Sequence, residues 1–201
     1  MTIDVPGSIF TTATGVDNLG NIVGTYRDSN DQVHGFLLSD GAFTTIDFPG
    51  AVLTFAESVN NLFGATVGFF ADSSSDGNSR GFLLSGGEFT TIRFPRAAST
   101  IASHINTFGD IVGTYTLRDN THGFLLSDGR FTSIDFPGAR QTEVNGINQQ
   151  GDIAGDYVDN SGVLHGFLRT RLRQDDGLHD LPRANNPFLS GDQKKAAAST
   201  R

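Results

Sequence analysis

The stretch HGFLLSDGRFTSIDFPG at residues 122–138 decides the fold, because near-copies of it stand at 34–50 (HGFLLSDGAFTTIDFPG) and 80–95 (RGFLLSGGEFTTIRFP), and its opening returns as HGFL at 165–168. Working outward, the Gly-Phe-Leu anchor falls at Gly35, Gly81, Gly123 and Gly166, and the ID-F/V-PG ending starts at Ile3, Ile46 and Ile134, with the variant IRFPR at Ile92. Both series repeat every 42 to 46 residues. A period of that size marks a supersecondary unit that cannot bury its own apolar surface and must stack on its neighbours. Four copies result, over about 3–45, 46–91, 92–133 and 134–168. Each also carries a threonine (Thr11, Thr54, Thr100, Thr142) and then an Asp or Asn (Asp17, Asn60, Asn106, Asn148) ahead of an I/V-G-x-Y/F stretch.

Turn chemistry divides each copy into four short strands. DNLG at 17–20, NTFG at 106–109 and NQQG at 148–151 open on Asp or Asn and close on Gly, and SDG at 39–41 and 127–129 separates GFLL from the FTTI-type segment. Strands are expected near 11–16, 21–27, 34–39 and 42–48, and at the equivalent places in later copies. No helical periodicity occurs before residue 170, so the chain reads as all-β. In GFLL and FTTIDF apolar side chains sit at odd and even positions alike, so both faces of each strand should be covered. Four-stranded sheets buried on both faces and repeated at this period are the blades of a β-propeller.

The expected architecture is a propeller of four four-stranded blades. The fourth copy stops after HGFL without an FTTI-type strand, and the opening TIDVPG at 2–7 could supply it and close the ring. The alternatives are an open repeat array and a half-propeller completed by dimerisation. The closed ring predicts a monomer, the half-propeller a dimer. After Leu168 the texture changes: residues 169–201 hold seven Lys or Arg against four Asp and no apolar periodicity, so 171–201 is expected to be a basic, polar, disordered tail.

The same pattern, HGFLLSDG with FTTIDFPGA and GDIVGTY, resembles the bacterial extracellular repeat proteins of the HAF family, named for a His-Ala-Phe triplet. The resemblance spans roughly residues 1–168. The triplet reads His34-Gly-Phe36, Arg80-Gly-Phe82, His122-Gly-Phe124 and His165-Gly-Phe167, so Gly replaces Ala throughout and Arg replaces His once. It implies a secreted or surface-exposed, propeller-like protein and transfers no catalytic residue. The opening MTIDVPGSIF has no basic-then-apolar leader pattern, so an extracellular location is implied by the resemblance alone.

Charge and composition narrow the partners. Fourteen Lys and Arg against 22 Asp and Glu give a net charge of −8, which repels a phosphate backbone and argues against nucleic acid. No apolar run approaches the length of a membrane span. With no cysteine there is no disulfide, thiol nucleophile or thiolate metal site. The chain has no G-x-S-x-G, H-E-x-x-H or G-x-x-x-x-G-K pattern, and no catalytic residue is assigned.

Three histidines, His34, His122 and His165, recur at one position of separate copies, too far apart to share an ion. Each is expected to pack across its hairpin from Tyr26, Tyr115 or Tyr157, with Arg80 facing Phe70 in the second copy. Asp-rich loops at 28–31, 72–76 and 159–162 have calcium-type ligands, but turn formation accounts for the same residues, and no cofactor is expected. A site on a repeated scaffold must use residues the repeats do not share. On the first strand the copies read Thr14-Gly15, Glu57-Ser58, Ser103-His104 and Asn145-Gly146, so Glu57, His104, Asn145 and Thr14 are the candidate ligand-binding residues at a channel mouth. These point to a non-enzymatic binding or scaffold module for a glycan, peptide or protein surface. The alternative is a polysaccharide hydrolase or lyase using Glu57 and His104.

Overall fold

Type II turns divide the chain into blades, and their sequence shows why. In FPGA at 48–51 the Ala51 N–H donates to Phe48 O at 3.0 Å, with proline at the second position and Gly50 at φ +80° at the third. Gly7 and Gly138 repeat the arrangement at +80° and +79°, while the second junction holds Arg96 at +66°, a left-handed conformation that costs a non-glycine residue about 1 kcal/mol. The structure is a computed structural model that describes residues 2–60, 64–73 and 77–171.

The first blade contains β1 (Phe10–Val16), β2 (Ile22–Arg27), β3 (Val33–Ser39) and β4 (Ala42–Ile46). The second contains β5 (Ala51–Val59), β6 (Thr66–Asp72), β7 (Arg80–Ser85) and β8 (Glu88–Ile92). The third contains β9 (Ser99–Ile105), β10 (Ile111–Leu117), β11 (Asn120–Ser127) and β12 (Arg130–Ile134). The fourth contains β13 (Gln141–Ile147), β14 (Ile153–Val158) and β15 (Leu164–Arg169). Each blade is an antiparallel meander, and a single parallel bridge, Val33 to Leu53, joins the first two into one eight-stranded sheet. The hairpin turns at 40–41, 86–87, 118–119 and 128–129 carry the φ > 0 pairs of type I′, such as Asp40 at +50° with Gly41 at +78°.

The core lies between blades. Val23, Ile46, Ala56, Val59, Phe70 and Phe82 fill the first junction. Val67, Ile92, Ala102, Ile105, Ile111, Tyr115 and Phe124 belong to the second, and Val112, Ile134, Val144, Ile147 and Ile153 fill the third. A valine of one blade's second strand thus meets the first strand of the next blade each time. First strands pack on first strands, β1 on β5, β5 on β9 and β9 on β13, so the blades converge along that edge.

The recurrent threonine fastens each junction. Thr54 Oγ1 accepts the Phe48 N–H at 3.1 Å, and Thr100 and Thr142 do the same for Phe94 and Phe136 at 3.0 and 2.9 Å. All three are buried, and Thr11 repeats the bond to Val5. The loop after one blade is thereby tied to the first strand of the next.

The expected closure by the N-terminal segment is not what the structure shows. Residues 2–9 form no strand, and among the described residues β15 pairs only with β14 and the fourth blade holds three strands. The extensive packing runs from first blade to second, third and fourth in series, and does not return from the fourth to the first. Val5 is buried over its own first blade, held by Thr11, instead of lying beside β15. The stack is open among the described residues. The basic tail from 172 onward lies outside them.

Candidate functional site

A β-bulge interrupts every first strand at the same place. The register against the second strand slips between Ala13 and Gly15, between Ala56 and Ser58, between Ala102 and His104, and between Val144 and Gly146. The extra residues are therefore Thr14, Glu57, Ser103 and Asn145. A bulge leaves one residue out of the ladder and re-aims its side chain. The facing glycine of the I/V-G-x-Y/F stretch makes room for it: a Cβ on Gly24, Gly68, Gly113 or Gly155 would sit 1.9 to 2.0 Å from a first-strand carbonyl oxygen.

Of the four residues singled out from sequence, three occupy the bulge and one does not. His104 lies one step on, opposite Val112, where the other blades have Gly15, Ser58 and Gly146. The residue equivalent to Glu57 is Ser103. Aligning the four residue pairs by position points to it, and the pull of an ionisable side chain obscures it.

The bulge side chains differ in what they touch. Thr14 Oγ1 donates to Ala56 O at 2.6 Å and so tethers the first blade to the second. Asn145 Nδ2 donates to Asp156 Oδ2 at 2.7 Å on the neighbouring strand. Glu57 and His104 are half-buried, and no ion pair joins them. Burial pushes the Glu57 carboxyl up and the His104 imidazole down, each toward its neutral form.

These shifts have opposite consequences for stability against pH. As pH rises from the usual carboxylate range, unfolded Glu57 releases its proton before folded Glu57 does, so its charge weakens the fold at neutral pH. His104 weakens the fold as pH falls below the ordinary histidine range, where the unfolded chain binds the proton first. Glu57→Gln is expected to raise the melting temperature relative to wild type more at pH 7 than at pH 4. Melts followed by circular dichroism at both values check this, and an equal shift at the two would show that Glu57 pays no desolvation cost in the fold.

The repeated histidines are framework. His34, His122 and His165 stack on Tyr26, Tyr115 and Tyr157 with ring centroids 4.9, 5.0 and 4.9 Å apart. His34 Nδ1 lies 2.9 Å from Asp47, and His122 Nδ1 lies 2.6 Å from Asp135. His165, whose blade has no fourth strand among the described residues, meets Asp159 through Nε2 at 3.1 Å instead. Arg80 stands opposite Phe70 and pairs with Asp72. In the loops proposed for calcium, the carboxylates are engaged by the turns. Asp28 Oδ1 accepts from the Asn30 and Gln32 amides at 2.9 and 2.8 Å, and Asp159 Oδ1 from those of Ser161 and Val163 at 2.8 and 2.9 Å. The Ser161 hydroxyl is the largest of the influences that hold Asp159 well below the usual carboxylate range. Residues 74–76 of the second loop lie outside the described residues.

One cleft of about 530 Å³ opens between the third and fourth blades. Its apolar wall is Leu125, Ile134, Ile147 and Ile153, and its rim holds Asp110, Asp135, Arg169 and Arg171. In the second and third blades the fourth strand carries a phenylalanine against the loop of the preceding blade: Phe89 meets Phe48 edge-on at 5.2 Å, and Phe131 meets Phe94 at 5.2 Å.

No family model matches the sequence, and no curated protein matches it. Among solved structures, one described as a streptogramin B lyase structure is similar at 16% sequence identity and a TM-score of 0.47, over 82% of this chain and 56% of that one. The chain therefore spans little more than half the length of the structure it matches.

Proposed function

We propose that the chain is a non-enzymatic binding or scaffold module, a propeller-like stack that recognises a glycan, peptide or protein surface along the edge where its first strands converge. One observation carries this reading. At four positions that the framework makes equivalent, the side chains are Thr14, Glu57, Ser103 and Asn145, four different polar groups on an otherwise repeated scaffold. A repeat scaffold specialises by varying such positions while its junctions stay alike. The acidic balance of the chain favours neutral or basic ligands.

A second reading, a polysaccharide hydrolase or lyase, draws on the shifts of Glu57 and His104 toward the protonated carboxyl and neutral imidazole that proton transfer uses. A glycan and peptide array, run beside a reducing-end assay on a polysaccharide panel, separates the two. The expected result is binding that Glu57→Gln weakens at least tenfold, with no products released. Product release that Glu57→Gln abolishes would establish the second reading, and an array without any binding would overturn the first.

A further inference from the structure

The three junctions inside the chain are built alike, and the two end faces of the stack present the two halves of a fourth. On the side that receives a preceding blade, Val59, Ile105 and Ile147 are 6%, 4% and 6% exposed, but their counterpart Val16 in the first blade is 67% exposed. Ala13 is likewise open, although its equivalents Ala56, Ala102 and Val144 are fully buried. On the side that receives a following blade, Val23, Val67 and Val112 are fully buried, while Ala154 in the fourth blade is exposed. Gly35, Gly81 and Gly123 are buried beneath Ala56, Ala102 and Val144 of the next blade, while Gly166 is exposed.

A hydrogen-bond series has the same polarity. Asn60 Nδ2 donates to Asn106 O at 3.1 Å, and Asn106 Nδ2 donates to Asn148 O at 3.3 Å, each reaching into the following blade. The Asn148 side chain, next in the series, is exposed and among the described residues bonds only within its own turn, its Nδ2 donating to Asp152 Oδ2 at 3.1 Å. The opening TIDV at 2–5 matches the TIDF and SIDF segments that close a blade. In those and in the TIRF segment of the second blade, Ile46, Ile134 and Ile92 pair with Gly35, Gly123 and Gly81.

We propose that these faces dock head to tail between two copies of this chain. The exposed face of one fourth blade receives the first blade of the other copy, Ala13 lies over Gly166, and Asn148 donates to the Asp17 carbonyl. Ile3 of the incoming copy pairs with Gly166 as the missing fourth-strand residue, beside the cleft between the third and fourth blades. The occupant is a second copy because the complementarity is that of this chain's own junctions, repeated residue for residue. Two such contacts, each heterologous, close a dimer and leave no open face.

Light scattering on the full chain at tens of micromolar is expected to give twice the 21.4 kDa chain mass. Val16→Glu and Gly166→Leu each alter one face at an exposed position, so each is expected to weaken dimerisation at least tenfold and leave the circular dichroism spectrum unchanged. Because each variant keeps the face the other has lost, an equimolar mixture should regain association through one intact contact. A monomeric wild-type chain overturns the proposal. So does a dimer that neither variant weakens, or a variant mixture that stays monomeric. A monomer whose melting temperature falls with Val16→Glu would show instead that the faces meet within one chain.

Discussion

Gly113→Ala is expected to cost about 4 kcal/mol or more and to leave little folded protein, a loss of the size that forcing packed backbone apart can produce. The methyl would lie 1.9 Å from Ile101 O and 3.0 Å from the Ser103 amide nitrogen, both on the bulged first strand. Neither atom is the end of a movable side chain. To make room, β9 would have to retreat from β10 by roughly an ångström, which opens their ladder and pulls Ala102 and Ile105 out of the junction with the second blade. The same contact recurs at Gly24, Gly68 and Gly155, so the requirement belongs to the blade design.

Gly146→Ala supplies the control, since a methyl there meets nothing within 4 Å and the backbone is not in the left-handed region. Lower chain entropy in the unfolded state should then stabilise the variant by about 0.5 kcal/mol. Urea unfolding followed by far-ultraviolet circular dichroism measures both. Similar losses for the two would refute a steric role for the bulge.

The repeat frame, the strand pattern and the histidine–tyrosine stacks could be read directly from the residues, because each rests on local chemistry recurring at a fixed period. Turn residues place the hairpins, and a hairpin of known turn fixes which residues face each other, as with Tyr115 and His122. The bulge could not be read this way. It changes the register by one residue inside a strand whose composition stays ordinary, so the residue pairs align by position while nothing in them tells which member leaves the ladder, Glu57 and Ser103 or Ser58 and His104. The role of the recurrent threonine was hidden for another reason: its partner is a backbone amide six residues upstream across the Pro-Gly turn, which any residue type supplies and no side chain marks, and the bond forms even at Thr11 and Val5 ahead of the first blade. Ring closure depends on the angle between blades, which accumulates from packing at every junction and has no signature in any short segment.

The same distinction between repeated sequence and unequal surroundings governs the phenylalanines of the Gly-Phe-Leu anchor. By sequence Phe82, Phe124 and Phe167 are interchangeable, but their burial is not. Phe82 and Phe124 are fully buried, each edge-on at 5.5 Å to the fourth-strand ring of its own blade, Phe89 or Phe131. Each also fills a junction core, beside Val23 and Ala56 or beside Val67 and Ala102. Replacing either with alanine removes the ring and leaves a cavity that two rigid sheets cannot collapse to fill, at an expected cost of about 3 to 5 kcal/mol. Phe167 packs against the third junction and remains partly exposed. Its truncation exposes less new surface and opens no closed cavity, so about 1 to 2 kcal/mol is expected. Unfolding each alanine variant at a protein concentration where the wild type is monomeric measures the difference without a contribution from association, and equal losses at all three positions would mean that the fourth blade is completed within a single chain.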